Sequence, residues 1–422
     1  ESLFSAGVRK DISVPVRAFF VPGRIEVLGK HTDYAGGSSI VTATEQGFCL
    51  VAVPRDDAEV HVLAVDFDDR ATFPLNADAA PQQGHWSNYP MTVAKRVARN
   101  FPGALRGMSV AYCGDLPADS GMSSSSAVLT GMFLVISEIN KLESRIEYRN
   151  NIFDRRTLAA YLGSIENGSD FGSLPGTRGV GTAGGSEDHT AILNALAGWV
   201  GRYSYFPVTM HENLHLDDKY VFAIACSGVS APKTGSAREK YNRMSRRARV
   251  ALELWREQTG RDDPHLASAI ASSPEAPQQF SDMLSGGADD LTGEELTTRL
   301  DQFRAENFEI IPAACKALAC GDMEEFGLQI DRSQDLADTQ LGSQVPQTVF
   351  LAHAARELGA TAASSFGAGF GGAVWALVLR DQAETFGERW SQRYAEAFGA
   401  ESQLATFFST DPGPAAFFVD QA

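Results

Sequence analysis

Short runs of apolar and β-forming residues alternate with glycine-rich breaks along residues 14 to 53. Such runs predict β-strands, here in the stretches VPVRAFFV, RIEVLG, SSIVTAT and FCLVAV. Between them lies HTDYAGGSS, whose glycines and charged residues indicate a loop. We therefore expect strands that present a functional loop.

Apolar residues at helical spacing predict three helices in the next hundred residues. The first follows Trp86, the second is apolar nearly all the way round, and the third ends at Glu166. Their apolar positions are Tyr89, Val93, Val97 and Phe101, then Val128, Met132, Val135 and Ile139, then Leu158, Tyr161, Leu162 and Ile165. The second pattern is typical of a helix buried in the core.

Residues 167 to 185 are dense in Gly, Ser and Thr, which predicts a long loop. A strand, YVFAIACSGV, then precedes a helix that carries Tyr241 and Trp255 on one face, and helices continue to Leu358. Residues 264 to 297 are polar and interrupted by Pro and Gly, so we expect a mobile surface insertion there. The length predicts more than one domain, and we place the boundary near residue 210, between domains 1–210 and 211–422.

Charge and composition exclude several classes of protein. A net charge of −17, without a Lys/Arg stripe, would repel a phosphate backbone, so nucleic acid is not an expected partner. No apolar run approaches the roughly 20 residues that a membrane span needs, and no signal-peptide pattern stands at the start. Five scattered cysteines without metal spacing suit a reducing compartment. We expect a cytoplasmic protein, and its oligomeric state stays open.

The segment LPADSGMSSSSAV contains the strongest chemical signal, because four serines open the buried helix. The start of a helix offers unpaired N–H groups and partial positive charge, and Gly121 allows close approach of a ligand. Together these features predict an anion cradle whose hydroxyls contact phosphate or Mg²⁺. A serine-rich linker or a plain N-cap is the alternative, but a linker would not stand between a strand and an apolar helix.

Two glycine patterns resemble nucleotide motifs without fulfilling them. Gly29-Lys30 has Arg24 where a Walker A loop needs its first glycine. GAGFGG contains GxGxxG at Gly367, Gly369 and Gly372, but a β-like run follows instead of the helix of a dinucleotide fold. We interpret it as a loop between two strands that approaches a ligand, with close strand packing as the alternative.

Charged residues gather in two further loops. Arg24, Lys30, His31 and Asp33 lie within ten residues, where they would grip a polyhydroxylated ligand or form a solvated loop. In GGSEDHTA, a carboxylate follows directly after glycines. That placement suits a general base, although acidic turn residues are common and the histidines have no metal-ligand spacing.

Taken in order, these motifs resemble the GHMP kinase superfamily and, within it, the galactokinases. PGRIEVLGKHTDYAGG is similar to the galactokinase signature GR-x-N-L-x-G-E-H-T-D-Y, and LPADSGMSSSSA to the phosphate loop LP-x-G-x-G-L-S-S-S-A. GAGFGG matches the third motif, and WSNY resembles the W-x-N-Y that borders the adenine. The resemblance implies a two-domain α+β fold, with a left-handed βαβ unit in the N-terminal domain, an α+β C-terminal domain and the active site between them.

The resemblance also implies roles for single residues, with ATP and Mg²⁺ as cofactors and a small sugar as substrate. Asp188 aligns with the catalytic Asp of the G-I-M-D-Q turn, and Arg24 with the Arg that supports it. The residues implied to bind the sugar are Lys30, His31, Asp33, Gly185, His189 and Tyr241. Those implied to bind ATP are Trp86, Pro117, Gly121, Ser123, Ser124, Ser125, Ser126 and Gly369. Ser125 and Glu166 would hold the metal.

On this resemblance the expected reaction is phosphorylation of the anomeric C1 hydroxyl of galactose or a related sugar by ATP. Lys30 departs from the signature, which carries a Glu that binds the sugar near C6. An ammonium there would suit a hexuronic acid through a charge-assisted hydrogen bond of about 1.5 to 3 kcal/mol, unless Lys30 merely pairs with a nearby carboxylate. A sugar sensor without catalysis is a third hypothesis, which the retained Asp188 and Arg24 argue against.

Overall fold

The computed structural model describes residues 15–82, 84–117, 120–229 and 235–419, which form two antiparallel-rich sheets surrounded by helices. The strands are β1 (Arg17–Leu28), β2 (Ser38–Pro54), β3 (Glu59–Ala64), β4 (Asp69–Pro74), β5 (Met108–Gly114), β6 (Trp199–Ser204), β7 (Thr209–His215), β8 (Tyr220–Cys226), β9 (Ala362–Phe366), β10 (Ala373–Leu379), β11 (Thr406–Thr410) and β12 (Phe417–Phe418). This is the mixed α+β architecture that the sequence predicts.

The helices occupy the segments between and after these strands. They are α1 (Asn88–Asn100), α2 (Ser124–Asn140), α3 (Ile146–Arg149), α4 (Arg155–Asn167), α5 (Glu187–Asn194), α6 (Gly235–Thr259), α7 (Leu266–Ile270), α8 (Ala276–Leu284), α9 (Gly293–Ala305), α10 (Ile311–Cys320), α11 (Met323–Leu336), α12 (Pro346–Glu357) and α13 (Ala383–Phe398). Two π-helical turns, Glu306–Ile310 and Ala337–Leu341, follow α9 and α11. None of the helices within the described residues has the length and apolar character to cross a membrane.

The first sheet has the strand order β12-β1-β2-β5-β3-β4, and β6 and β7 extend it from β2. Strands β3 and β5 are parallel, and β4 and α1 lie between them in the chain, so they form a βαβ unit. β7 crosses the division at residue 210 and pairs with β6, while the division itself remains a prediction.

Helix α2 packs against the first sheet and is buried on nearly all sides, as its apolar residues predict. Val128, Leu129, Met132 and Phe133 join one continuous core with the strands. A helix in such a position is fixed by packing along its whole length. Its first turn is therefore held rigidly where the long loop before it ends.

The second sheet has the order β11-β8-β10-β9 and is entirely antiparallel. Strand β8 is buried at every residue, because its run of apolar side chains packs on both faces. The loop Gly367 to Gly372 connects β9 to β10, which confirms a glycine loop between two strands.

Residues 264 to 297 are not the mobile surface insertion that we predicted. They form α7, α8 and the start of α9, and Leu266, Phe280 and Leu284 are buried in a helical core. Trp255 stacks on Phe280 with their ring centroids 4.4 Å apart. Pro277 lies in the first turn of α8, and Gly286 and Gly287 follow its end, so a segment with a polar average still supplies apolar residues to a core through a short helix.

Candidate active site

A cavity of about 640 Å³ lies where β1, the start of α2, the start of α5 and the loop after β9 meet. It brings together most of the residues that the sequence singled out. The predicted residues that line it are Arg24, His31, Asp33, Trp86, Gly121, Ser123, Ser124, Ser125, Glu166, Gly185, Asp188, His189, Tyr241 and Gly369. Their assigned roles remain predictions, but they share one cavity.

Three predicted residues are outside this lining. Lys30 is buried behind it, Pro117 accepts a hydrogen bond from the Ser120 hydroxyl through its carbonyl, and Ser126 lies beneath the cavity wall. Leu116 faces the cavity instead of Pro117.

The start of α2 presents the serines to the cavity. Ser123 precedes the helix with φ of 60°, and Gly121 has φ of 78°, so the chain makes a sharp turn before α2 begins. Ser124 and Ser125 then occupy the first turn, where the N–H groups of a helix lack intrahelical partners. These N–H groups and the helix dipole make the turn a site for an anion such as phosphate.

Asp188 lies in the first turn of α5 and is held by Arg24 of β1. The Nη2 of Arg24 is 2.7 Å from Oδ1 of Asp188, and its Nη1 donates to the Gly121 carbonyl at 2.8 Å. Burial alone would lower the pKa of the Arg24 guanidinium, but Asp188 and Glu187 raise it above its ordinary value. One buried cation thus joins the carboxylate of α5 to the turn before α2.

The Ser126 hydroxyl connects Asp188 with Glu166. Its Oγ is 2.9 Å from Oε2 of Glu166 and 3.1 Å from Oδ2 of Asp188. The same Oε2 is 3.1 Å from Nε2 of the buried His189, whose Nδ1 is 3.1 Å from Oγ1 of Thr130. His189 therefore holds the Glu166 carboxylate in position through this contact.

Carboxylate and hydroxyl oxygens are the ligands that Mg²⁺ prefers, and Glu166, Asp188 and Ser125 supply them at the cavity. Among the described residues no cluster of three or more His, Cys, Asp or Glu side chains is arranged to hold a metal. The oxygen ligands present therefore suit Mg²⁺ that is bound together with a nucleotide. In such complexes one or two carboxylates, phosphate oxygens and water would complete the coordination of the ion.

Two further carboxyl groups, to which the sequence analysis assigned no role, line the cavity beside Arg24. Glu26 lies two residues along β1, and Glu187 precedes Asp188 with its Oε1 3.5 Å from Nε of Arg24. Glu26 stands where the galactokinase signature has Asn, and Glu187 where the G-I-M-D-Q turn has Met. These two departures from the family motifs were the signal in the sequence that could have identified both carboxyl groups. We call Arg24, Glu26, Asp33, Glu187 and Asp188 the charged cluster.

Glu26 and Glu187 form a carboxyl pair within this cluster. The two side chains are adjacent, and both are buried. Burial raises the pKa of both groups, and their mutual repulsion raises that of Glu187 further. Because adjacent carboxylates repel each other, one of the two groups holds its proton more tightly than an isolated carboxyl group does.

His31, Asp33, Gly185 and Tyr241 lie together at one part of the cavity. The Oδ2 of Asp33 accepts from the backbone N–H of Glu187 at 3.3 Å, and a Cβ at Gly185 would lie 2.4 Å from that oxygen. The His31 ring is 5.2 Å from the Tyr241 ring, and burial lowers the pKa of His31 to about 3. A neutral imidazole, a phenol and a carboxylate are groups that hydrogen-bond to hydroxyls.

Lys30 is engaged away from the cavity. Its Nζ donates to Oγ of Ser364 at 2.7 Å and to Oγ of Ser333 at 3.2 Å. Ser333 donates in turn to Oε1 of Glu306, which also accepts from the Gly29 N–H at 2.8 Å. Lys30 therefore joins the first loop to α11 and β9.

Three aromatic side chains line another part of the cavity, and we call Phe48, Trp86 and Tyr112 the aromatic cluster. The Tyr112 ring is 5.7 Å from Phe48 and 6.0 Å from Trp86, each in an edge-to-face arrangement. The indole Nε1 of Trp86 donates to Oδ2 of Asp69 at 2.7 Å. This apolar wall suits the flat face of a nucleobase.

Comparison with known proteins identifies the same two families that the motifs resemble. Residues 9–54 match the family described as "Galactokinase galactose-binding signature", and residues 310–396 match "GHMP kinases C terminal". A galactokinase of Halalkalibacterium halodurans is 26% identical over 423 residues, covering 97% of this chain and 94% of that protein. One of Lactiplantibacillus plantarum is 27% identical over 405 residues, covering 92% of each.

Solved structures share the fold. Lactococcus lactis galactokinase, in complex with galactose, is 24% identical, with a TM-score of 0.79 over 99% of this chain and 97% of that one. Methanococcus jannaschii mevalonate kinase is 12% identical, with a TM-score of 0.56 over 96% of this chain and 100% of that one. Both family matches, full-length galactokinase relatives and this fold agree: the chain is similar to galactokinases along nearly its whole length, its residues 310–396 match the GHMP kinases, and these similarities indicate an ATP-dependent carbohydrate kinase.

Proposed function

We propose that this protein transfers the γ-phosphoryl group of ATP to the anomeric C1 hydroxyl of galactose or a closely related neutral sugar. The products are a sugar 1-phosphate and ADP. The observation that carries the proposal is the Asp188 carboxylate, 2.7 Å from Arg24 and in the same cavity as the serines that open α2. A base and an anion site then face the same space.

In this mechanism Asp188 accepts the proton of the sugar hydroxyl as the hydroxyl oxygen attacks phosphorus. Arg24 keeps Asp188 ionised and offsets charge that develops on the phosphoryl oxygens. General-base assistance is worth about 10² to 10⁴ in rate, and most of the remaining catalysis of phosphoryl transfer comes from positioning and electrostatics.

The start of α2 would bind the phosphates through its free N–H groups and the hydroxyls of Ser124 and Ser125. Glu166 and Ser125 are the residues that would hold Mg²⁺ together with the nucleotide. When bound, Mg²⁺ neutralises charge on the β- and γ-phosphates. Ser126 orients Asp188 and Glu166 relative to each other.

The charges in the cavity support a neutral sugar over a hexuronic acid. The case for a uronate depended on the Lys30 ammonium, which hydrogen-bonds to Ser333 and Ser364 instead of lining the cavity. Glu26, Asp33 and Glu187 line it in its place. A substrate carboxylate would approach these acids at a cost of several kcal/mol wherever they are ionised.

A coupled assay of ADP release tests the substrate class. We expect kcat/KM for galactose to exceed that for galacturonate and glucuronate by at least about 10-fold, as a difference of 1.4 kcal/mol or more implies. A reaction without sugar corrects for ATP hydrolysis, and the position of the phosphate is read from the product by ³¹P NMR. A preference for a uronate would overturn the neutral-sugar assignment, and phosphate on another hydroxyl would overturn the C1 assignment.

The same assay decides between an enzyme and a sugar sensor. The Arg24–Asp188 pair and the buried support of Glu166 favour catalysis, because a sensor has no need of a held base. Binding of galactose and nucleotide without ADP release would instead support the sensor hypothesis.

A further inference from the structure

A pair of thiols lies on the outer face of the first sheet. Cys49 of β2 is directly opposite Cys113 of β5 in their antiparallel ladder, and both side chains are exposed. The flanking residues Leu50 and Tyr112, one step along each strand, are buried. Because side chains alternate between the faces of a sheet, the two thiols point to the same, solvent-facing side.

The ladder fixes the distance between the two backbones. The Asp115 N–H donates to the Gly47 carbonyl at 3.3 Å, which makes the opposed residues 47 and 115 a hydrogen-bonded pair. Such pairs recur every two residues, so Cys49 and Cys113 are also a hydrogen-bonded pair, with Cα atoms about 5.5 Å apart. Disulfides span Cα separations of about 4.4 to 6.8 Å, most often near this value.

The Cβ atoms must approach each other before the sulfurs can bond. Opposed Cβ atoms in a ladder lie about 4.5 to 5.5 Å apart, with hydrogen-bonded pairs at the wider end, whereas a disulfide brings them to about 3.5 to 4.5 Å, so an approach of roughly 1 Å is needed. A bond formed against such an adjustment is more easily reduced than a relaxed structural disulfide. The geometry thus favours a bond that forms under oxidation and is lost under reduction.

We propose that Cys49 and Cys113 are a redox modification site, which forms a reversible disulfide with a low-molecular-weight disulfide such as oxidised glutathione. One thiolate attacks the glutathione disulfide, releases one glutathione and forms a mixed disulfide. The second thiolate attacks the protein sulfur of that bond and releases the other glutathione. The protein loses two electrons and two protons, which appear on two molecules of reduced glutathione.

The surroundings of the pair set the order of these steps. Burial raises the pKa of the Cys113 thiol, and Asp66 and Cys49 raise it further. Since the thiolate is the attacking species, Cys113 suits the second, intramolecular step, which proximity accelerates. Cys49 then takes the first step and carries the mixed disulfide.

The site is next to the aromatic cluster. Phe48 precedes Cys49, and Tyr112 precedes Cys113. The two strands that carry the thiols therefore also carry two of the aromatic residues that line the cavity. The disulfide would join these strands through the opposite face of the sheet. The inference rests on strand register and exposure, and it stands whether or not the proposed sugar kinase reaction is correct.

The test uses the full chain in glutathione buffers of graded oxidation, followed by alkylation and mass spectrometry. We expect Cys49 and Cys113 to become protected together, with a cross-linked peptide, a monomeric chain on a non-reducing gel, and full reversal by dithiothreitol. In Cys113→Ser, Cys49 should instead retain glutathione. Cys320, exposed at the end of α10, gives the matched control Cys320→Ser, in which the disulfide should still form.

Separate glutathione adducts on Cys49 and Cys113 in the unmodified sequence would overturn the proposal. So would free thiols at both positions when Cys320 has reacted, because the oxidant was then active. A disulfide between two chains would also contradict it.

Discussion

The charged cluster and the aromatic cluster line the same cavity but are held in place differently. Arg24, Glu26 and Glu187 are 3 to 5% exposed, and Arg24 forms ion pairs with Glu187 and Asp188. Phe48, Trp86 and Tyr112 are positioned by ring contacts and a single indole hydrogen bond to Asp69. One part of the cavity depends on mutual charge compensation and the other on shape.

This difference predicts how each part responds to substitution. Removing one partner of a buried ion pair leaves an uncompensated charge, at a cost of about 3 to 5 kcal/mol. Replacing one aromatic ring by a smaller one costs about 1 kcal/mol in contacts and retains the shape. The residues at positions 26 and 187 both differ from the family motifs, and both departures add a carboxyl group beside Arg24.

Asp188→Asn gives the largest expected effect, because it removes the base and the closer of the two ion-pair partners of Arg24. We expect kcat to fall at least about 100-fold. Nucleotide binding, measured by titration of the same protein, should change little, since Asn keeps an oxygen that can accept from the Ser126 hydroxyl and the N–H groups that open α2 are unchanged. Asp301→Asn, on the exposed side of α9, is the control. A kcat within about 3-fold of the unmodified enzyme would remove Asp188 from the mechanism.

Glu187→Gln tests the charged cluster through the pH dependence of the free energy of unfolding. The pKa of Glu187 is raised, so the folded protein keeps a proton that the unfolded chain releases above its ordinary pKa. Stability therefore falls as pH rises above about 4.5, by up to about 1.4 kcal/mol per pH unit for each such proton. Gln does not titrate, and the variant should lose less stability between pH 5 and 7.

Urea unfolding at several pH values measures that slope. Glu384→Gln, at an exposed position of α13, provides the matched control and should retain the slope of the unmodified chain. If the unmodified chain and both variants lose stability with pH at the same rate, Glu187 does not retain an extra proton in the folded protein.

Trp86→Phe has the smallest expected effect and acts on the aromatic cluster. It removes the hydrogen bond to Asp69 and part of the ring surface, a loss of about 0.5 to 1.5 kcal/mol. The KM for ATP should rise roughly 2- to 10-fold, with the KM for sugar unchanged. Trp199→Phe, on a partly exposed residue of β6, should leave both constants unchanged. A rise in the sugar KM alone would place the nucleobase elsewhere.

Local periodicity was sufficient to predict α1, α2 and α4, and runs of β-forming residues were sufficient to predict β8, β10 and the glycine loop before β10. It failed for residues 264 to 297, because the burial of Phe280 and Leu284 depends on Trp255 and other residues of a separate helix. A polar average over a segment does not reveal a few apolar residues on one side of short helices.

The motifs were likewise sufficient to predict which residues share the cavity, but not how their side chains point. Lys30 and Ser126 belong to the motifs and still lie outside the lining, because Ser333, Ser364 and Glu166 bind them from distant parts of the chain. Glu26 was overlooked for the opposite reason. Its neighbour Glu187 is far away in sequence, so its function as half of a pair emerges only in three dimensions.

The two-residue strand β12 has a consequence for biosynthesis. Phe418 pairs with Phe19, and Phe417 packs on Phe20 with ring centroids 5.4 Å apart. A growing polypeptide on the ribosome therefore exposes the open edge of β1 until residues 417 and 418 have been translated. Nascent chains halted before this point would carry an unpaired, phenylalanine-rich edge, the kind of surface that chaperones shield and that promotes aggregation.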